Sequence, residues 1–462
     1  MTAECVSPGL AAVVATTSGP VIGRVRDGIA SYKGVPYAAA PFGERRFLAP
    51  QQHDRWTEPF EAFDFGATSP QQEHAAPGGL PDVIEPIIAG DEILNLNVWT
   101  AAAGGTRAGG GRPVLFWIHG GGFFAGCSAN PWYDGTSFAR HGLVVVSINY
   151  RLGAEGFLEL SDAPSNRGLL DCIAALAWVR DNIAAFGGDP GRVTVMGQSA
   201  GGMAAAALLV SPAAEGLFQQ VVIASGISGR PAWSADQAWS MTSAIAERSG
   251  AEPTRSGMSA RTPAELISAH ASALAELEAA AAALMPPWAF VVDGDVVAAP
   301  FLDAVRNGAG GSVPVLTGTT RNEFAWRGFR DQPDSAQARR RGQREFADEF
   351  FRRPTQSFAE QRVAAGAAST YRYEFQWEST AAPYILAGHS LDIPFFFNNL
   401  NAPFVSDYTG PNPPQQLADF DHAAFASFVS AGDPGWPPFS ADSSVMLIDT
   451  EPRVSRGIEF DA

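Results

Sequence analysis

Five short apolar runs constrain the fold of this chain more than any other feature. They are "PVLFWI" (113–118), "LVVVSIN" (143–149), "RVTVMG" (192–197), "QVVIAS" (220–225) and "VPVLTG" (313–318). A strand with one face in water alternates apolar and polar residues; these runs do not, so each reads as a strand buried on both faces. Helical patterns lie between several of them, notably "LLDCIAALAWVRDNIAAF" (169–186). Strand, helix, strand in succession predicts an α/β fold with a largely parallel central sheet covered by helices on both faces. Such sheets place ligands outside the carboxyl ends of their strands. The residue following each strand is therefore where chemistry is to be sought.

Composition narrows the classes. With 462 residues, 46% of them hydrophobic, the chain can bury a large core as one α/β domain or as several smaller ones. It has no run of ~18 apolar residues, and its first residues carry Glu4 where a secretory leader would carry Lys or Arg. The expectation is a cytoplasmic protein with no membrane association. Against 31 basic residues stand 48 acidic ones, a net charge of −17 that repels nucleic acid. Cys5, Cys127 and Cys172 are odd in number and irregularly spaced, which implies neither a disulfide framework nor a zinc site. The glycines of "AAAGGTRAGGG" (101–111) lack the following GK[ST] of a phosphate loop and read as a surface connection. "RRRGQR" (339–344), with Glu345, Asp348 and Glu349 beside it, reads as a solvated helix face.

The run "RVTVMG" leads into Gln198-Ser199-Ala200-Gly201-Gly202 and then an alanine-rich helical stretch. Gly197 and Gly201 flank the serine as GxSxG, the pattern of a nucleophile on a strained strand-to-helix turn whose flanks must lack bulk. A serine hydroxyl needs a base. In the order serine, acid, histidine, the available histidines are His270, His389 and His422. His270 lies in an Ala/Leu/Glu-rich helix, and His422 in the amphipathic "LADFDHAAFASFV", where a surface histidine is expected. His389 follows the strand-like "YRYEFQW" (371–377) across a loop and is the preferred base.

For the acid that orients the imidazole, Glu323 sits on the loop just beyond "VPVLTG". Asp293 and Asp295 in "VDGDV" read as a tight turn. Asp392 stays an alternative, although it precedes an apolar run that suggests packing. In "WIHGGGFFAG" (117–126) the glycines let the backbone curl so that the amides of Gly121 and Gly122, with that of Ala200, can face a developing oxyanion.

With these motifs assembled, the chain resembles the type-B carboxylesterases, the α/β-hydrolase family that includes bacterial para-nitrobenzyl esterases and animal cholinesterases. "YKGVPYAAAPFGERRF" (32–47), "DEILNLNVW" (91–99), "SINYRLGAEGFL" (147–158), "NRGLLDCIAALAWVRDNIAAFGGDPGRVTVMGQSAGG" (166–202), "GTTRNEF" (318–324) and "AGHSLDIPFFF" (387–397) each resemble a family block, in family order. The resemblance implies a single catalytic domain over 1–462 with a small N-terminal β region. It implies a Ser199, Glu323, His389 triad, an oxyanion hole of Gly121, Gly122 and Ala200, and no cofactor or metal. It further implies that Arg46 pairs with Asp91 and that Ser225 supports the polar network near the triad. The expected chemistry is hydrolysis of neutral short-to-medium acyl or aryl esters through an acyl-enzyme. An amidase or carbamate hydrolase with the same triad is the alternative, and a non-catalytic interaction protein on this fold the more distant one. The expected partner is a small-molecule ester; the expected state is a monomer or weak homo-oligomer.

The sequence also departs from the family. Ser69 and Ile93 stand where members often have a cysteine pair. The loop "PQQEHAAPGGLPDVIEPIIAGDEI" (70–93) has no aromatic residue to cage a quaternary ammonium. Gln198 replaces a frequent glutamate, and Glu155 occupies a usually apolar position. Phe123, Phe124, Phe324, Trp326, Phe395, Phe396 and Phe397 flank the site motifs; about half are expected in the core and the rest in an apolar substrate wall.

Overall fold

The structure is a computed structural model and describes residues 9–72, 85–101, 110–229, 232–281, 288–329, 332 and 334–460. Cys5, most of the 101–111 glycine stretch and residues 73–84 of the 70–93 loop lie outside the described residues.

Twelve strands form one sheet: β1 (Gly9–Leu10), β2 (Arg24–Arg26), β3 (Ile29–Pro36), β4 (Asn95–Thr100), β5 (Arg112–Ile118), β6 (Val144–Ile148), β7 (Gly188–Gln198), β8 (Gln220–Ala224), β9 (Val315–Thr320), β10 (Thr370–Phe375), β11 (Ser444–Ile448) and β12 (Arg453–Arg456). Their order is β1-β2-β3-β4-β6-β5-β7-β8-β9-β10-β11-β12. From β6 to β11 every neighbouring pair is parallel, and the remaining pairs toward both edges are antiparallel. Val14–Ala15, Pro20–Ile22 and Phe60–Glu61 make a separate three-stranded sheet, the small N-terminal β region. This is the α/β-hydrolase architecture.

Each of the five apolar runs overlaps one of the strands β5 to β9, and the two-sided burial has a simple cause. Val114, Phe116 and Ile118 of β5 enter one apolar layer, while Leu115 and Trp117 enter the other. Val221 and Ile223 of β8 likewise separate from Val222 and Ala224. Helices α1 (Arg167–Asn182) and α2 (Ala200–Val210) cover the first face through Leu169, Leu176, Val179, Ala204 and Leu208. Helix α3 (Gln415–Ala431) covers the second through Leu417, Phe425 and Phe428. Burying each such side chain contributes about 1.5–3 kcal/mol, which is why neither face of these strands tolerates polar alternation.

Two expectations about individual segments meet different outcomes. Arg339, Arg340 and Arg341 are exposed on a short helix, Ala336–Gly342, and Arg344 is exposed on the π-helical segment that follows it, Gln343–Arg352. His422, expected at the surface of its helix, is instead fully buried. Its Nδ1 bonds the carbonyl of Phe396 at 2.8 Å and its Nε2 meets His141 Nδ1 at 2.6 Å. Burial pushes its pKa down to about 4, so the ring is neutral there. The helix pattern alone could not reveal that this polar position packs inward against Phe138 and His141.

Candidate active site

Strand β7 ends at Gln198, α2 begins at Ala200, and Ser199 between them has φ 57° and ψ −125°. A non-glycine residue in that region costs on the order of 1–3 kcal/mol and persists only when its surroundings fix it. Here the Ser199 N–H donates to the Ala224 carbonyl at 3.0 Å, and the Ser199 carbonyl accepts from the Met203 N–H at 2.8 Å. The flanking glycines are steric necessities. A Cβ on Gly197 would lie 2.1 Å from the Gly201 carbonyl oxygen, and one on Gly201 would lie 2.0 Å from that of Ile118.

Around this turn the structure brings together three side chains from widely separated parts of the sequence. His389 Nε2 lies 2.9 Å from Ser199 Oγ, and His389 Nδ1 lies 2.5 Å from Glu323 Oε2. Glu323 follows β9, opens a 3-10 helix, Glu323–Gly328, and is fully buried. Its other oxygen accepts the Ser225 hydroxyl at 2.8 Å and the Thr320 N–H at 2.9 Å. Those bonds satisfy the carboxylate and aim Oε2 at the imidazole. The main chain of His389 is tied as well: its N–H donates to the Glu323 carbonyl at 3.3 Å, and its carbonyl accepts the Tyr408 hydroxyl at 2.5 Å.

The competing residues fall elsewhere. His270 stacks on Trp288 with ring centroids 4.3 Å apart. Asp293 accepts the N–H groups of Asp295 and Val297, each at 2.9 Å, as a turn aspartate does. Asp392 is fully buried; its Oδ2 faces the Tyr373 hydroxyl at 3.4 Å and, among the described residues, its Oδ1 has no partner. Burial, and then the nearby Glu323 charge, push its carboxyl up to about 7.

The glycine loop after β5 lies against the serine. A Cβ on Gly120 would come within 3.1 Å of Ser199 Cβ, and Gly121 and Gly122 take φ values of 106° and 61° that favour glycine. Among the described residues no backbone acceptor takes the N–H of Gly121, Gly122 or Ala200. Ala200 also opens α2, where the helix dipole favours negative charge. His119, just before the loop, stacks on Tyr150 and is buried, which lowers its pKa to about 4 and keeps it neutral. Together these groups make a hydrogen-bonded chain of serine, histidine and carboxylate next to a glycine loop whose N–H groups, among the described residues, have no backbone acceptor; acyl transfer calls for such groups.

The sequence pattern of the Carboxylesterase family matches residues 10–334. The chain belongs to that family. It is 31% identical to the para-nitrobenzyl esterase of Bacillus subtilis (strain 168), over 97% of each chain. It is also 31% identical to the phenmedipham hydrolase of Pseudarthrobacter oxydans, over 94% of each. Among solved structures, a para-nitrobenzyl esterase superposes with a TM-score of 0.82 at 30% identity, covering 96% of both chains. A Geobacillus stearothermophilus carboxylesterase gives 0.79 at 33%, covering 96% of this chain and 97% of that one. The protein is a carboxylic ester hydrolase on an α/β-hydrolase fold.

Within this esterase the flanking aromatics divide. Phe395, Phe396 and Phe397 have no exposed surface and pack with Trp117, Phe375, Trp377 and Phe425. Phe395 and Phe396 therefore do not wall a substrate: "IPFF" turns its rings into the layer covered by α3. Phe123 is buried against Phe157 and Phe290, and Trp326 is buried beside Phe329. Phe124 and Phe324 remain half-buried.

The expected Arg46–Asp91 pair is corrected. Asp91 is exposed, whereas Arg46 is buried and binds Glu155, its Nε lying 3.0 and 3.1 Å from the two carboxylate oxygens and its Nη2 bonding Oε1 as well. Glu155, where the resemblance implies an apolar residue, is buried in this pair with Arg46. Ser69 Oγ accepts the Leu152 N–H at 3.0 Å, and Cys127 and Cys172 are buried free thiols.

Sequence reasoning missed Gln198 as a direct neighbour of the base: its Nε2 lies 3.3 Å from His389 Nε2 and donates to Ser390 Oγ at 3.0 Å. Phe351, whose ring lies 5.5 Å from that of His389, was also missed. Adjacency to the nucleophile could have flagged Gln198. No local signal marks Phe351.

Proposed function

We propose that Ser199 attacks the ester carbonyl while His389 Nε2 takes its proton and Glu323 holds the imidazole and stabilises its charged form. The N–H groups of Gly121, Gly122 and Ala200 receive the tetrahedral oxyanion. His389 then protonates the departing alcohol, and a water activated by the same ring releases the acid from the acyl-enzyme. The observation that carries this reading is the continuous relay of 2.9 Å and 2.5 Å through His389, near N–H groups that have no backbone acceptor among the described residues.

The substrate class we infer is neutral esters with short-to-medium acyl or aryl groups, supported by the half-buried Phe124 on the glycine loop and by the likeness to a para-nitrobenzyl esterase. The free buried thiols suit a reducing, cytoplasmic setting. The test is a hydrolysis panel varying acyl and alcohol parts independently, run on wild type and Ser199→Ala. Aryl esters of short acids should give the highest kcat/KM and choline esters should be poor, with Ser199→Ala losing both turnover and fluorophosphonate labelling. A Ser199→Ala protein that kept most of its rate would refute the mechanism, and choline or long-chain esters at the top of the panel would refute the substrate class.

A further inference from the structure

The imidazole of His389 is held by more than hydrogen bonds. The Phe324 ring lies 4.1 Å from it, centroid to centroid, with only 29° between the planes. Phe351 lies 5.5 Å away at 38°, and the two phenyl rings are 5.8 Å apart. They come from different elements. Phe324 follows Glu323 in the 3-10 helix, and Phe351 lies near the end of the π-helical segment Gln343–Arg352.

These two elements are locked together. They meet at Gly342, the residue just before the π-helical segment: a Cβ on Gly328 would meet Gly342 Cα at 2.4 Å, and one on Gly342 would meet the Ala325 carbonyl oxygen at 2.4 Å, so the backbones touch where that segment begins. The far end of the π-helical segment is fixed too. Phe350 accepts the Gly229 N–H at 2.8 Å, and Arg352 bonds Glu374 at 2.9 Å and also Asp348. A π-helical turn shifts the angular position of the residues that follow it, and here that segment carries Phe351 to the histidine.

Two hydrogen bonds, at Nδ1 and Nε2, leave the imidazole free to tilt about the line joining its partners. A flat ring stacked on one face blocks the tilt toward that side. The electron-rich phenyl face also favours the positive charge that the ring carries after taking the serine proton. We propose that Phe324, stacked on one face of the imidazole, and Phe351, packed beside both rings on that same side, are positioning residues that form a one-sided clamp and hold His389 in the plane from which Nε2 reaches both Ser199 Oγ and the leaving-group oxygen. This rests on His389 being the general base.

The experiment compares Phe324→Leu, Phe324→Tyr, Phe351→Leu and His389→Ala in the full chain. The readouts are kcat and KM on a short-acyl aryl ester, the rate of inactivation by a fluorophosphonate, melting temperature, and the low-field NMR signal of the His389 Nδ1 proton. Phe324→Leu and Phe351→Leu should lower kcat by about 10- to 100-fold, the range produced by small misplacement of a catalytic group. KM should move little, fluorophosphonate inactivation should slow by the same factor, and the Nδ1 proton signal should broaden. Phe324→Tyr, which keeps the ring and can place its hydroxyl on the exposed side, should retain kcat and the signal. A Phe324→Leu enzyme with normal kcat and raised KM would overturn the clamp and make Phe324 a substrate wall. Loss of activity tracking loss of melting temperature, and shared by Phe324→Tyr, would overturn it in favour of simple packing. His389→Ala retaining the rate would overturn the mechanism and the clamp together, whereas an inactive His389→Ala beside a fully active Phe324→Leu would overturn the clamp alone.

Discussion

Replacing Gly201 by alanine tests the geometry of the active site more sharply than removing a catalytic side chain, because it adds a single methyl group and deletes no chemistry. The new Cβ would lie 2.0 Å from the Ile118 carbonyl oxygen and 2.6 Å from that of His119. Real Cβ contacts essentially never fall below 3.0 Å, so something must move by at least the difference. Both obstacles are backbone, and no rotamer change relieves them. They form the carboxyl end of β5, from which the Gly120–Gly122 loop departs, so the required shift of about 1 Å separates the proposed oxyanion donors from Ser199. Misplacement of that size costs about 100-fold in rate. We expect Gly201→Ala to lose about that factor in kcat on a short-acyl aryl ester, normalised to folded protein by circular dichroism. Gly9→Ala, where a Cβ would meet nothing within 4 Å, should be indistinguishable from wild type. A Gly201→Ala enzyme within a few-fold of wild-type kcat and with an unchanged melting temperature would refute the claim that strand, loop and helix are in steric contact here.

Arg46→Ala should destabilise the fold by about 3–5 kcal/mol in denaturant titration, because among the described residues the buried Glu155 carboxylate accepts side-chain bonds from Arg46 alone. Glu155→Ala should cost less, since Arg46 keeps the carbonyls of Ser259 and Arg261; equal and additive effects would argue against the pairing. Asp392, raised from 3.8 to about 7 by burial, binds a proton in the folded state that the unfolded chain has released between those values, so its contribution to stability falls as pH rises through that window. Asp392→Asn should therefore gain stability relative to wild type, on the order of a few kcal/mol, from pH ~4 to pH ~7 and no further above it; a constant difference across that range would contradict the assignment. Gln198→Glu would place a carboxylate beside the imidazole, favour its protonated form and move the acid limb of kcat/KM upward by about 1–3 pH units; a downward shift would exclude direct contact.

Much of the site is legible in the sequence because its constraints are local. The strands are recognised by runs apolar on both faces, since β5 and β8 must fill two core layers at once. GxSxG is recognised because the sterics of one turn exclude side chains at Gly197 and Gly201. Glu323 can be picked out because it comes directly after a buried strand, and the polar environment suggested for Ser225 appears as its bond to Glu323.

Other assignments depend on groups that are distant along the chain and become neighbours only when the layers close. Arg46 takes Glu155, 109 residues away, over Asp91, because packing buries the first carboxylate and leaves the second in water. The same packing turns Phe395 and Phe396 into the core, buries His422, and brings Phe351 on a π-helical segment up to the imidazole. Hydrophobicity and turn sterics are properties of a few consecutive residues, and the sequence by itself determined the central strands β5 to β9, a largely parallel sheet and the candidate Ser199, Glu323 and His389, while the edge strands and their order came from the structure. Which charge an arginine meets, and which face an aromatic ring turns to the site, depends on how whole elements dock, and only the tertiary structure decided that.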